Sequence, residues 1–196
     1  MSQFEVIKDI TNTLKDLLEA EFKKAGFTTV SVSIDRPKKE NIKTLPTVSC
    51  YLYHVSFHPG YYKERTDTLV TTTTKDGKIV EYYRDAPAYL YAHYIISVFG
   101  NTAAEENLLL GLTIKILLEH AIMKGEELHG PSFYPDDQIN IFPNLSADYN
   151  DVLAFWRSLS EEVRPSLQYM VKFRIESDRK SKELRRVLGK EIAYKR

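Results

Sequence analysis

"VLAFWRSLSEEVRPSLQYMVKFRI", residues 152–175 of a 196-residue chain, changes its period in mid-course. Up to Leu159 the apolar side chains recur at helical spacing. Val152, Leu153, Trp156 and Leu159, with Tyr149 a turn earlier, share one face. After Arg164-Pro165-Ser166 the period becomes two. Leu167, Tyr169, Val171, Phe173 and Ile175 alternate with Ser166, Gln168, Met170, Lys172 and Arg174. A helix buries a stripe and a strand buries a face, so the first pattern predicts a short helix and the second a strand with one wet side. The only Trp of the chain sits on that helix, a few residues before the strand. Phe155 and Trp156 are expected to pin the helix to the sheet. Pro165 fixes the approach to the strand, Ser166 bonds locally at its start, and Arg164 pairs with Glu161 or another acid. With Tyr169 these residues form a brace.

Outward from this block the chain keeps mixing the two periods. Residues 3–25 carry Phe4, Ile7, Leu14, Leu17, Leu18 and Phe22 at helical spacing, with Gly26 where a helix ends. "TTVSVSI" is a strand with Val30, Val32 and Ile34 on one face. "TVSCYLYHVSF" (47–57) and "AYLYAHYIISVF" (88–99) are apolar on both faces, which predicts central, covered strands. Thr102 and Glu105 have capping-box spacing ahead of an apolar helix, Leu108 to Leu118. Its polar face is almost absent, so burial on most sides is expected. A loop over 124–137 and a short strand "QINIF", stopped by Pro143, lead back to the Trp156 helix. Together these predict an α+β fold in a single domain. Its sheet is mixed or mostly antiparallel, its helices pack mainly on one face, and a C-terminal helical tail follows.

Two segments stand apart. Residues 60–87 are polar and Thr-rich. Asp76-Gly77 between β-branched runs predicts a two-residue hairpin turn, with too little aliphatic bulk to fold alone. This hairpin is expected to project from a 1–176 domain, with Tyr82 and Tyr83 available to a partner. Residues 177–196 form a basic tail. From Asp178 on, eight basic residues stand against three acidic ones, which gives +5 on a chain whose net charge is zero. Leu184, Val187, Leu188 and Ile192 make one helical stripe, and Arg185 and Arg186 belong to the basic side. The tail is expected to dock on a partner.

The composition excludes several function classes. A neutral chain lacks the field that general nucleic-acid binding needs. No apolar run approaches the ~20 residues of a bilayer span, and the first residues do not read as a secretory signal. A soluble intracellular protein is expected. The single cysteine, Cys50, permits no internal disulfide and no multi-Cys metal site. His54 and His58 are four apart, but in a strand that separation is roughly 13 Å, too far to share an ion. His93 reads as a sheet histidine, and His120 and His129 lack ligand-rich neighbours. There is no phosphate loop, no nucleophile elbow and no zinc-binding helix motif. Asp136-Asp137 reads as a solvated loop pair. With His129 it defines the one hydrolase constellation to be tested. No catalytic residue, metal or cofactor is assigned. Thirteen Tyr and nine Phe leave a second alternative, an aromatic module that stacks a nucleotide or carbohydrate. They also suit half-buried strands and wet protein interfaces, and with no basic surplus in the body the interface reading is favoured.

"LPTVSCYLYHV", "APAYLYAHYIISVFG", "ENLLLGLTIKILLEHAIM" and "FWRSLSEEVRPSLQYMVKFRI", in that order, resemble the tail-terminator or cap proteins of contractile injection systems, the phage-tail-like particles of bacteria. The resemblance spans about residues 4–176. The 60–87 hairpin and the 177–196 tail depart from it. It implies a structural protein without enzymatic activity. Such a protein forms a hexameric ring on the distal end of the tube and sheath. It binds tube and sheath proteins, ends polymerisation and fixes length. The resemblance further implies assembly in the cytoplasm followed by residence in the particle, without membrane insertion or nucleic-acid binding.

Overall fold

A computed structural model describes residues 3–60, 68–73, 77, 79–177 and 179. Its main body comprises residues 1–58 and 89–175. A 3-10 turn at Gln3–Glu5 leads into α1 (Val6–Lys24). The strands of the body are β1 (Ser31–Ser33), β2 (Thr47–Phe57), β5 (Ala88–Phe99), β6 (Ile122–Lys124), β7 (Gln138–Pro143) and β8 (Ser166–Ile175). The helices α2 (Ala103–Glu119) and α3 (Tyr149–Ser158) complete it. The six strands make one sheet in the order β1-β2-β5-β8-β7-β6. β1 runs parallel to β2, while β2–β5, β7–β8 and β6–β7 are antiparallel. The α+β reading therefore holds, and β5 is central as its two-sided apolar pattern predicts.

The two faces of β5 explain the layering. Its even residues, Leu90 to Val98, are all buried, and the Tyr94 hydroxyl shares a 2.8 Å hydrogen bond with Thr11 of α1. The apolar stripe of α1, with Ile10, Leu14, Leu18 and Phe22 buried, covers this side, and α2 lies against α1. The odd residues of β5 face the other way, where Phe99 meets Trp156 of α3. In β8 the same alternation buries Tyr169, Val171 and Phe173 and leaves Ser166 to Arg174 half-buried on the second side. The wet-sided strand read from the sequence is the strand observed.

α1 is also tied to the loop that follows β6. Asp9 is buried and accepts from the Ser132 amide (3.1 Å) and hydroxyl (2.6 Å). Thr13 Oγ1 accepts from the His129 amide at 3.0 Å. Gly130 passes so close that a Cβ there would stand 2.2 Å from Asp9 Cγ, and its φ of +127° suits only glycine.

Four expectations change. α2 begins as predicted, with Thr102 Oγ1 accepting from the Glu105 amide at 3.2 Å. The Glu105 carboxylate, however, reaches back to the Asn101 amide. The helix is not buried on most sides: Leu109, Thr113, Ile116 and Leu117 face inward, while Leu108 and Leu118 are 56% and 62% exposed. β2 is covered on both sides only over Thr47–Cys50, and its second half opens to solvent. β6, inside a stretch read as the helix end and loop, adds an edge strand too short to carry a period of its own.

The described residues among 59–88, with 176 and 177, belong to a separate unit. In it β3 (Thr68–Thr73) and β4 (Ile79–Arg84) pair as an antiparallel hairpin. The register sets Thr73 opposite Ile79, whereas a two-residue Asp76-Gly77 turn would set it opposite Val80. The connection is thus longer than predicted. Gly77, at φ +75°, occupies the left-handed region. Asp76 lies outside the described residues. So do Leu184, Arg185, Arg186, Leu188 and Ile192, with the rest of the expected tail helix.

Candidate functional site

The structure brings the opening stretch together around one hydroxyl. α3 is started by Asp148, whose carboxylate accepts from the amides of Asn150 (2.7 Å) and Asp151 (3.1 Å), while Asp151 accepts from the Asp148 amide (2.9 Å). These amide hydrogen bonds hold the Asp148 carboxyl below the usual range. The helix ends with the Ser160 amide bonded to the Arg157 carbonyl and the Glu161 amide to the Trp156 carbonyl. That is the paired-bond stop that needs a left-handed residue, and Ser160 supplies it at φ +58°. Between these ends Trp156 is fully buried. Its indole N–H donates to Ser166 Oγ at 2.9 Å. Ser166 donates to the Arg164 carbonyl at 2.9 Å and bonds Ser97 Oγ of β5 at the same distance. One donor and two acceptor sites are all a hydroxyl has, so Ser166 is saturated.

Arg164 closes the brace from outside. Its guanidinium lies 4.7 Å from the Phe99 ring centre and bonds Glu106 of α2 at 2.9 Å. Glu106 also accepts from the Gly100 amide, so one carboxylate fixes both the β5–α2 turn and the approach to β8. The expected acid, Glu161, is elsewhere and accepts from the Lys39 amide. Sequence distance hid Glu106. Phe155 is half-buried and packs on Tyr51 and Tyr53, and Tyr169 is buried on the opposite side of the sheet. Phe155, Trp156, Arg164 and Ser166 thus meet at the start of β8, with Pro165 between the last two, while Tyr169 lies on the other face. They offer saturated hydrogen bonds and buried rings rather than a reactive group.

The other candidates scatter. Asp136 is exposed as read, but Asp137 is buried, and both bind Arg174, at 2.7 and 2.6 Å. His129 is engaged with Asp16 at 2.8 Å. The hydrolase candidates therefore split: Asp136 and Asp137 share Arg174, and His129 is held by Asp16. Cys50 is buried, and burial pushes its thiol up to about 12, so it is inert. A bulge between Leu52 and His54 sets His54 opposite His93, with ring centres 5.0 Å apart. Period counting misses this pair because the bulge shifts the register by one. Burial and then the neighbouring His54 push His93 below the usual imidazole range. Among the described residues no group of three or more His, Cys, Asp or Glu could hold a metal ion. No described helix is long and apolar enough to cross a membrane.

Some open apolar surface lies beside the brace. A groove of about 600 Å³ runs between α2, α3 and the start of β8, lined by Leu110, Val152, Val163, Pro165 and Leu167 among others. Leu145, Tyr149 and Val163 around it are 90%, 67% and 40% exposed. In the hairpin unit Tyr83 lies opposite Leu69, both about half exposed, and Tyr82 lies opposite Val70 and is half-buried.

Residues 9–188 match the Pvc16 N-terminal domain family, and the chain belongs to that family. Two solved structures share its fold. One is the sheath/tube terminator, in the extended state, of the PVC extracellular contractile injection system. It is 15% identical with a TM-score of 0.68, over 97% of this chain and 63% of that one. The other is the tube-terminating cap of the anti-feeding prophage, 16% identical with a TM-score of 0.63, over 94% of this chain and 60% of that one. The chain thus spans under two thirds of the length of either. No curated protein matches the sequence.

Proposed function

We propose that the protein is a structural cap of a contractile injection system. It seats on the distal end of the tube and sheath, ends their polymerisation and so fixes their length. The observation that carries the reading is the family match across most of the body, in a fold shared with a sheath/tube terminator. The hydrogen-bonded brace supports it by tying α3, β5 and the start of β8 together. In this reading the chain is not an enzyme. Its partners are further copies in a ring of six and the tube and sheath proteins of the same particle. It assembles in the cytoplasm and then stays with the particle. The hairpin over 60–87 and the tail 177–196 are its contact elements, with Gly77, Tyr82 and Tyr83 on the first. Nothing observed favours stacking of a nucleotide or sugar: Tyr94 is buried against α1, and the Tyr51 and Tyr53 rings pack on Phe155.

An uncapped polymer end stays competent to add subunits. Deleting the gene is therefore expected to leave tubes and sheaths of uncontrolled length, or unstable particles, in electron micrographs. Particles of normal, uniform length in the deletion strain would defeat the proposal. So would a particle map without this chain at the end away from the baseplate.

A further inference from the structure

We infer that the facing imidazoles of His54 and His93 form an acid-sensitive latch on the outer halves of β2 and β5. Charging both rings opens the pairing of residues 54–57 with residues 90–93. The bulge between Leu52 and His54 sets the two side chains opposite each other, with ring centres 5.0 Å apart. Like charges directly opposite on neighbouring strands are destabilising. The ladder beyond the bulge is short. It runs from His54–His93 to Phe57–Leu90 and ends with the His58 amide bonded to the Tyr89 carbonyl. His54 and Phe57 are exposed, so this end of β2 has little packing to hold it once the rings repel.

The surroundings offer the pair no counter-charge. His120 lies 3.8 and 3.9 Å from the carboxylates of Glu21 and Glu127, and His129 lies 2.8 Å from Asp16. Among the described residues, neither His54 nor His93 has a carboxylate within 4.0 Å. A cavity of about 420 Å³ holds both rings with Asp151 and Phe155 of α3, Asn144 and Ser146 of the loop after β7, and Gln168 of β8. Asp151 is the one acid there, and its carboxylate is committed to the helix cap at the Asp148 amide, 2.9 Å away. Lys172 of β8, a further cation, lies over the Tyr89 ring. On the two strands themselves Tyr91 stands between His58 and His93, and burial keeps Tyr53 in its neutral form.

The sign follows from His93. Its Nε2 shares a 2.8 Å hydrogen bond with Ser56 Oγ, and burial, then His54, disfavours its charged form. Such a histidine adds stability above its unfolded pKa of about 6.5. That stability is lost as the pH falls through the lower folded value. The latched strands are also those through which the chain leaves the body for residues 59–88 and returns. Opening them lengthens the tether of that segment. The inference stands apart from the cap reading, which is judged on particle length.

Native-state hydrogen exchange of the full chain at about pH 7.5 and about pH 5.5 tests it, with protection corrected for the intrinsic effect of pH. Protection over 54–57 and 90–93 is expected to fall several-fold at the lower pH. His54→Gln removes most of that fall, and His129→Gln leaves it intact. His54→Glu reverses it, because a carboxylate opposite His93 favours the charged ring. A second reading follows the His93 ring by NMR, and its titration midpoint is expected to be higher in His54→Glu than in the parent. Equal protection at both pH values, a fall undiminished in His54→Gln, or equal His93 midpoints in His54→Glu and the parent would each overturn the inference.

Discussion

Trp156 and Ser166 are joined by a 2.9 Å hydrogen bond from the indole N–H to a hydroxyl that also ties Ser97 and the Arg164 carbonyl. The bond couples the last turns of α3 to the first residue of β8 and to the central strand. Ser166→Ala leaves a buried indole N–H without its acceptor and is expected to cost about 1–3 kcal/mol. Trp156→Ala also empties a fully buried site and is expected to cost ~3–5 kcal/mol, a large share of an ordinary domain's stability. Urea unfolding of both variants checks the order. A Ser166→Ala chain as stable as the parent would show that the hydrogen bond is incidental to the packing.

The stop of α3 can be improved. Ser160 sits in the left-handed region at φ +58°, which costs a non-glycine residue about 1–2 kcal/mol. Glycine removes that cost but gives back about 0.5–1 kcal/mol through the freer unfolded chain. Ser160→Gly is therefore expected to stabilise by up to ~1 kcal/mol, read as a rise in the urea midpoint at unchanged slope.

Gly130→Ala is expected to be among the most damaging small substitutions. The new methyl would stand 2.2 Å from Asp9 Cγ at a φ of +127°, so steric overlap and backbone strain add. Relaxation would pull Asp9 off Ser132 and loosen α1 from the loop. A loss of at least about 3 kcal/mol is expected. A thermal midpoint within a degree of the parent would count against this clamp.

Acid should weaken the Arg174 anchor. The hydrogen bond from Arg174, followed by its charge, holds the Asp136 carboxyl below the usual range. A carboxyl depressed in the folded state adds stability above its unfolded pKa, about 4. That stability is lost as the pH falls through the folded value. Stability measured from pH 6 down to pH 2 should therefore fall less steeply below pH 4 in Asp136→Asn than in the parent. Identical slopes would show that the exposed pair contributes nothing. Arg174→Met is expected to be worse at neutral pH. It leaves Asp137, only 5% exposed, without its cation, a change of about 3–5 kcal/mol.

The β3–β4 hairpin should open more easily than the central sheet. It is a two-stranded sheet with Leu69, Ile79 and Tyr83 exposed, and isolated hairpins are marginal in water. In the free chain its amides are expected to exchange faster than those of residues 89–98. Protection equal to that of β5 would place the hairpin in the cooperative core.

Periodicity determined most elements of the body, β6 excepted. The change from helical to strand spacing at Pro165 predicts α3 and β8 with their correct faces. The two-sided apolar run of residues 88–99 predicts the central strand, because covered strands lack a polar side. Local chemistry also marked the Thr102 cap of α2 and the Ser166 bond to the Arg164 carbonyl, each made within three residues. Tertiary structure alone decided what the periods cannot encode. Glu106 rather than Glu161 holds Arg164, because the β5–α2 turn brings it there from 58 residues away. The pair Asp136 and Asp137 belongs to Arg174, because β8 lies beside β7. His54 faces His93 through a bulge invisible to a period of two. Above all, an apolar pattern states that a face avoids water, not that this chain covers it. α2 reads as a buried helix and leaves Leu108 and Leu118 open, because one layer of α1 and sheet has room for only one of its sides.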